Sequence, residues 1–246
     1  MPANPAWPPR SLPRLFVETP LGPGAQVELG AAQANYLGNV MRLQEGSRLL
    51  LFDGSSGEWL AEVAEAGRKR MTLSVVEPTR AQESVPDLWL AFAPVKKGRV
   101  DWLIEKAVEL GVARLLPVVT QRTIVDKLNL DRMRAHIIEA AEQCGRTALA
   151  AIDEPVKLDA LLRSRDTSRM LYFADETGGM PATRTFESGS AMILIGPEGG
   201  FTPGEAEMVR AAANVRPISL GPRILRAETA ALAAVAAWMS SAGDWR

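Results

Sequence analysis

Two periodicities divide the chain. Between residues 14 and 77 apolar and polar positions alternate in short runs. This predicts strands at Leu15 to Glu18, Gln26 to Leu29, Ser47 to Phe52, Glu58 to Ala64 and Met71 to Val76. Turn-forming stretches separate them: Gly22-Pro23-Gly24, Glu45-Gly46, Asp53 to Gly57, and Gly67. One helix, Ala31 to Met41, interrupts the series. Short strands at this density predict a small β-barrel. The Pro-rich first nine residues read as a loose arm, and Pro78 to Pro86 reads as a linker.

Beyond residue 88 the pattern lengthens. Leu88 to Val95 is a continuous apolar run, as expected of a strand buried on both faces. Val100, Leu103, Ile104, Ala107, Val108 and Leu110 form a helical stripe stopped by Gly111. Strands are predicted at Arg114 to Val119, Met170 to Ala174, Ala191 to Ile195 and Ile218 to Leu220. Helices are predicted at Leu130 to Cys144 and Glu228 to Met239, with another opened by the capping signal Thr202-Pro203-Gly204-Glu205. Strand and helix alternate, which implies an α/β layered domain with a mostly parallel sheet.

Composition narrows the chemistry. The chain has 246 residues, 47% hydrophobic and 23% charged, so it can fill a core. No apolar run reaches the roughly 18 residues a membrane-spanning helix needs. With one cysteine, Cys144, disulfide frameworks and Cys-rich zinc sites are excluded within one chain; the single histidine, His136, removes most other metal-site and Ser-His-Asp designs, and no metal is expected. With no secretory signal read at the N-terminus, a cytoplasmic location is expected. The net charge is -1, yet the cations are 22 Arg against 6 Lys, which favours forked contacts with phosphate or carboxylate.

Two strand exits stand out, and ligands of open parallel sheets bind beyond the carboxyl ends of strands. Ile195 to Thr202 places three glycines between a buried strand and a capped helix, allowing close backbone approach. Leu220 to Ala230 combines a Gly-Pro turn, Arg223 and Arg226, and a Glu228-Thr229 pair opening an alanine-rich helix, a slim face suited to close packing or dimerisation. Neither G-x-G-x-x-G nor G-x-x-x-x-G-K-[ST] occurs, which argues against a dehydrogenase or P-loop NTPase. A third cluster, Glu142 to Arg146, closes a helix, where Cys144 is expected to be structural.

The strings ILIGPEGGFTPGE, LGPRILRAETAAL and AAEQCGR together resemble the RsmE family, 16S ribosomal RNA (uridine-N3) methyltransferases of the SPOUT class. PRLFV, NYLGNVMRL, LFDGSSGEWLAEV and KKGRVDWLIEKAVELGVARLLPVVTQRTIV agree in order and spacing, from about Pro13 to Met239. One departure is Tyr36, where many relatives carry histidine.

The resemblance implies a PUA-like β-barrel over residues 1–77 that binds RNA. It implies a SPOUT domain with a trefoil knot over 78–246, a homodimer, and S-adenosylmethionine as cofactor. Cofactor contacts would come from Leu194, Ile195, Gly196, Glu198, Gly199, Gly200, Leu220, Gly221, Ile224, Leu225, Thr229 and Ala230. Arg226, then Arg146, is the candidate to stabilise a uridine anion, and Glu198 or Glu228 to accept its proton. Arg10, Arg14, Arg42, Lys96, Lys97 and Arg122 are the candidates for RNA contact in 16S rRNA or the small ribosomal subunit. The same fold could also serve a non-catalytic RNA-binding assembly factor or a SPOUT enzyme acting on tRNA.

Overall fold

The computed structural model describes residues 12–67, 70–124 and 128–245, leaving out the side chain of Lys97. Arg10 therefore lies outside the described residues. The chain forms two compact units: residues up to Ser84 together with Gly145–Ala148, and Val85–Cys144 together with Leu149–Arg246.

The first unit contains β1 (Arg14–Phe16), β2 (Gln26–Leu29), α1 (Ala31–Asn35), β3 (Arg48–Phe52), β4 (Glu58–Ala66) and β5 (Met71–Arg80). The strands form one sheet in the order β1-β3-β4-β5-β2; β1 runs parallel to β3, and the other pairings are antiparallel. The alternation works as read. Val27 and Leu29 are buried, and Gln26 and Glu28 face outward. They join Leu15, Leu37, Leu49, Leu51, Leu73 and Val75 in a single core. Helix α1 is shorter than predicted, because its continuation over Tyr36–Val40 widens into a π turn. Strand β5 runs on into the segment read as linker. Pro78, which cannot donate to the ladder, pairs with Trp59 beside a register shift.

Charges knit this unit internally. Arg14 donates from Nε to Glu58 at 2.7 Å and from Nη2 to the Arg146 carbonyl at 2.8 Å, and it lies over the Phe52 ring. Glu83 accepts from the N–H groups of Thr147 and Ala148 at 2.8 and 2.7 Å, and its own N–H donates to the Thr147 hydroxyl. Residues 145–148 are thereby fastened to the first unit although they follow Cys144 of the second.

The second unit holds β6 (Leu88–Phe92), α2 (Lys97–Glu109), β7 (Arg114–Val119), α3 (Leu130–Cys144), β8 (Ala151–Ile152), β9 (Val156–Lys157) and α4 (Leu158–Ser164). It continues with β10 (Met170–Ala174), β11 (Met180–Pro181), α5 (Ala182–Thr185), β12 (Ala191–Ile195), α6 (Pro203–Ala211), β13 (Val215–Ser219) and α7 (Ala227–Ser241). The sheet order is β11-β13-β10-β12-β6-β7-β8, with every pairing parallel, and β9 adds to β7. All five residues of β12 are buried, as a strand covered on both faces requires. The predicted run from Leu88 stops pairing soon after Phe92: Ala93 still donates to Ile195, but Pro94 has no N–H to continue.

Helix α6 begins with the full capping box, Thr202 accepting from Glu205 N–H and Glu205 from Thr202 N–H. The second Glu205 oxygen accepts from Gln121 N–H at 2.7 Å, tying the exit of β7 to the head of α6. His136 on α3 faces Asp101 and Glu105 of α2. Cys144 is the last residue of α3 and is partly buried, consistent with a packing role.

The Asp53 turn gives the first unit an acid-sensitive element. Burial alone would raise this carboxyl. The N–H groups of Ser56, Leu21 and Ser55 and the Ser56 hydroxyl outweigh that and hold it at about 2, below its ordinary 3.8. The folded form therefore gains stability from ionised Asp53 above its ordinary value and loses it as pH falls toward the folded value. Thermal melts of the wild type should drop between about pH 4 and about pH 2, with a shallower slope for Asp53→Asn.

Candidate functional site

Strands β13, β10 and β12 are consecutive in the sheet and end level. Phe173 pairs with Leu194 on one side and with Pro217 on the other. Their exit loops converge on a cavity of about 920 Å³ in the second unit. That size suits an enclosed small-molecule ligand.

The β12 loop is shaped by two glycines. A Cβ on Gly196 would stand 2.6 Å from the Phe201 ring. Gly200 has φ +68°, and a Cβ there would stand 2.5 Å from Glu176 Oε1. Backbone thus approaches the cavity where side chains cannot fit. Arg122 donates to the Gly199 carbonyl at 2.6 Å and braces this loop from outside.

The β13 loop supplies Leu220 to Arg226, and Arg226 is the N-cap residue of α7. Ile224 is 97% exposed, an apolar side chain without cover in this chain. The third wall, Phe173 to Gly178 at the exit of β10, was not foreseen. Its sequence signal was the Gly178-Gly179 pair following an apolar strand. Asp175 in this wall is buried and accepts from Thr177 and from Arg210 Nε at 2.7 Å. Burial pushes its carboxyl up, but the Thr177 and Arg210 donors prevail and keep it below its usual range.

Of the residues singled out in the sequence, Ile195, Gly196, Glu198, Gly200, Leu220, Gly221, Ile224, Leu225, Arg226 and Ala230 line the cavity, and Arg122 joins them. Leu194 lies behind the wall, in the core. Gly199, Thr229 and Glu228 flank the site without lining it, and Glu228 is buried in the first turn of α7.

Two expectations need correction. Arg14 is not a surface cation for RNA: its side chain is 10% exposed and is engaged by Glu58 and the Arg146 carbonyl. Arg146 belongs to the first unit, buried beside Glu83, and does not line the cavity. Arg42, with φ +59°, and Lys96 at the head of α2 are exposed.

The lining is mixed in charge. Arg99, missed in the sequence because it sits on the polar side of an amphipathic helix, pairs with Glu198. Arg210 pairs with Asp175. Among the described residues Arg223 and Arg226 show no ion pair. Among the described residues no cysteine, histidine or lysine lines the cavity, and no cluster could hold a metal ion. No described helix is long and apolar enough to cross a membrane. The arrangement suits group transfer governed by positioning and charge rather than by a covalent nucleophile.

The chain matches the RNA methyltransferase domain over residues 82–239 and the RNA methyltransferase PUA domain over residues 29–76. It is 30% identical to the ribosomal RNA small subunit methyltransferase E of Rickettsia conorii, covering 91% of this chain and 93% of that protein. The protein of the same name from Synechocystis sp. is 32% identical, covering 86% of this chain and 72% of the other. The crystal structure of ribosomal RNA small subunit methyltransferase E from Neisseria gonorrhoeae, bound to S-adenosyl methionine, superposes with a TM-score of 0.88. It is 27% identical and covers 96% of this chain and all of the other. The α/β unit with its mostly parallel sheet, joined to a PUA-like unit, is the fold the resemblance implied, and the chain belongs to the ribosomal RNA small subunit methyltransferase E family.

Proposed function

We propose that the protein transfers a methyl group from S-adenosylmethionine to N3 of a uridine in 16S rRNA of the small ribosomal subunit. The observation that carries this reading is the cavity built from three neighbouring strand exits, whose β12 loop packs so closely at Gly196 and Gly200 that neither position has room for a side chain. When bound, S-adenosylmethionine would supply an electrophilic methyl group. Main-chain groups of the β12 and β13 loops can read an adenine edge, with Ile195, Leu220 and Leu225 as apolar walls.

Uridine N3 carries a proton that must leave before or during attack. Arg226 is the proposed cation to stabilise the resulting charge on the ring oxygens: it lines the cavity and, like Arg223, shows no ion pair among the described residues. Glu198, which lines the cavity, or Glu228, which shares Arg99 with it, is proposed to accept the proton. Arg42 and Lys96 are proposed to meet phosphate, and the target base to be flipped from its RNA context. A homodimer, with Ile224 and the outer face of α7 (Thr229, Ala233, Ser240) as its contact, and a cytoplasmic location complete the reading.

The deciding experiment offers labelled S-adenosylmethionine with small ribosomal subunits or tRNA. Label is expected at uridine N3 of 16S rRNA in the subunits alone; labelling of tRNA alone, or of neither, would overturn the reading. Arg226→Ala should lower kcat by about 100-fold with little change in cofactor affinity, by the scale of other charge-stabilising donors. Gly200→Ala, forced into a left-handed conformation and against Glu176, should weaken S-adenosylmethionine binding roughly tenfold by calorimetry.

A further inference from the structure

Arg99 occupies an unusual place. It is the third residue of α2, whose first turn has no acidic side chain and follows Lys96. The amino end of a helix carries partial positive charge, so a cation there is locally unfavourable. A residue that breaks a local rule points to a role supplied from elsewhere in the fold.

Two carboxylates supply it. Nη1 of Arg99 bonds Glu198 on the β12 loop, and Nε faces Glu228 Oε1 at 3.6 Å in the first turn of α7. Arg99 itself lines the cavity. The two anions differ in setting. The Glu198 side chain is 36% exposed, and the Glu228 side chain is 9% exposed with Oε2 lacking a hydrogen-bond partner. One guanidinium therefore serves both loops that hold the cofactor under the reading above, with a full bond to one and a Coulombic contact to the other. A planar fork can meet two carboxylates at once, whereas an ammonium acts as a point charge.

We propose that Arg99 is a positioning residue. By holding Glu198 and Glu228 together it sets the spacing between the β12 loop and the head of α7, and through that spacing the affinity for the adenosyl cofactor. Its effect is exerted through the two loops, so it should appear in cofactor binding, and any change in kcat that comes through Glu198 should accompany a weaker Kd. The inference rests on the proposed cofactor site.

The test is calorimetry with S-adenosylmethionine on wild type, Arg99→Ala, Arg99→Lys, Glu198→Gln and Glu228→Gln, with unliganded melts and steady-state kinetics alongside. Arg99→Ala should weaken binding by roughly tenfold and raise the cofactor KM in parallel. Arg99→Lys should recover only part of the affinity. Combining Arg99→Ala with either glutamine substitution should add less than the sum of the single effects.

A role confined to stability would lower the melting temperature and the active fraction while leaving Kd and KM unchanged; that outcome overturns the proposal. So does a loss of kcat at constant Kd. If Arg99→Ala does not fold, the two glutamine variants carry the test, each expected to weaken binding by about threefold, and unchanged Kd in both overturns it. A wild-type chain that binds no S-adenosylmethionine sinks the functional reading and this inference together; wild-type binding that Arg99→Ala leaves intact sinks only the inference.

Discussion

The placement of β10 between β12 and β13 is the constraint from which the cavity follows. Its hydrogen bonds to both neighbours align three carboxyl ends at one edge of the sheet. Because all three strands are parallel, the next segment of each must turn away from that edge, and the amino ends of α6 and α7 begin near it. Unpaired N–H groups and the positive ends of two helix dipoles accompany the loops. A different neighbour for β10 would leave the glycine-rich turn and the Leu220 to Arg226 turn apart, each an ordinary strand-to-helix connection.

The arginines around this edge divide by occupation. Arg122 is committed to the Gly199 carbonyl, Arg210 to Asp175, and Arg99 to two glutamates. These cations fix loops. Arg223 and Arg226 line the same cavity and show no ion pair among the described residues. Counting basic residues would treat all five alike. The geometry separates those held by a carboxylate or a backbone carbonyl from those that are not.

The sequence was most informative where local chemistry is decisive. The capping box at Thr202 and Glu205, the stop at Gly111 and the fully apolar β12 each follow from short-range rules, and each formed as expected. The first exit stood out because few structural needs place three glycines between a buried strand and a capped helix, and the second because a Gly-Pro turn with two arginines opens an alanine-rich helix. The third exit was not, since Asp175-Glu176-Thr177-Gly178 reads as a plain polar turn until β10 is known to lie between the other two. Helices α4 and α5 are too short to show periodicity. Strand β13 begins earlier than its apolar signal because Arg216 and Pro217 mask it. Arg14 was misjudged for a general reason: a charge in a sequence does not reveal whether a carboxylate 44 residues away will bury it.

The four residues Gly145–Ala148 carry a consequence for how the molecule is made. They complete the first unit, giving Glu83 its backbone donors and Arg14 and Arg80 their carbonyl acceptors, yet they follow β6, α2, β7 and α3 in the chain. A nascent polypeptide leaving the ribosome therefore presents more than half its length before the last four residues of its amino-terminal body emerge, and a fragment ending at Ser84 would lack the backbone donors and acceptors they supply. The two bodies are interleaved in synthesis even though each has its own core.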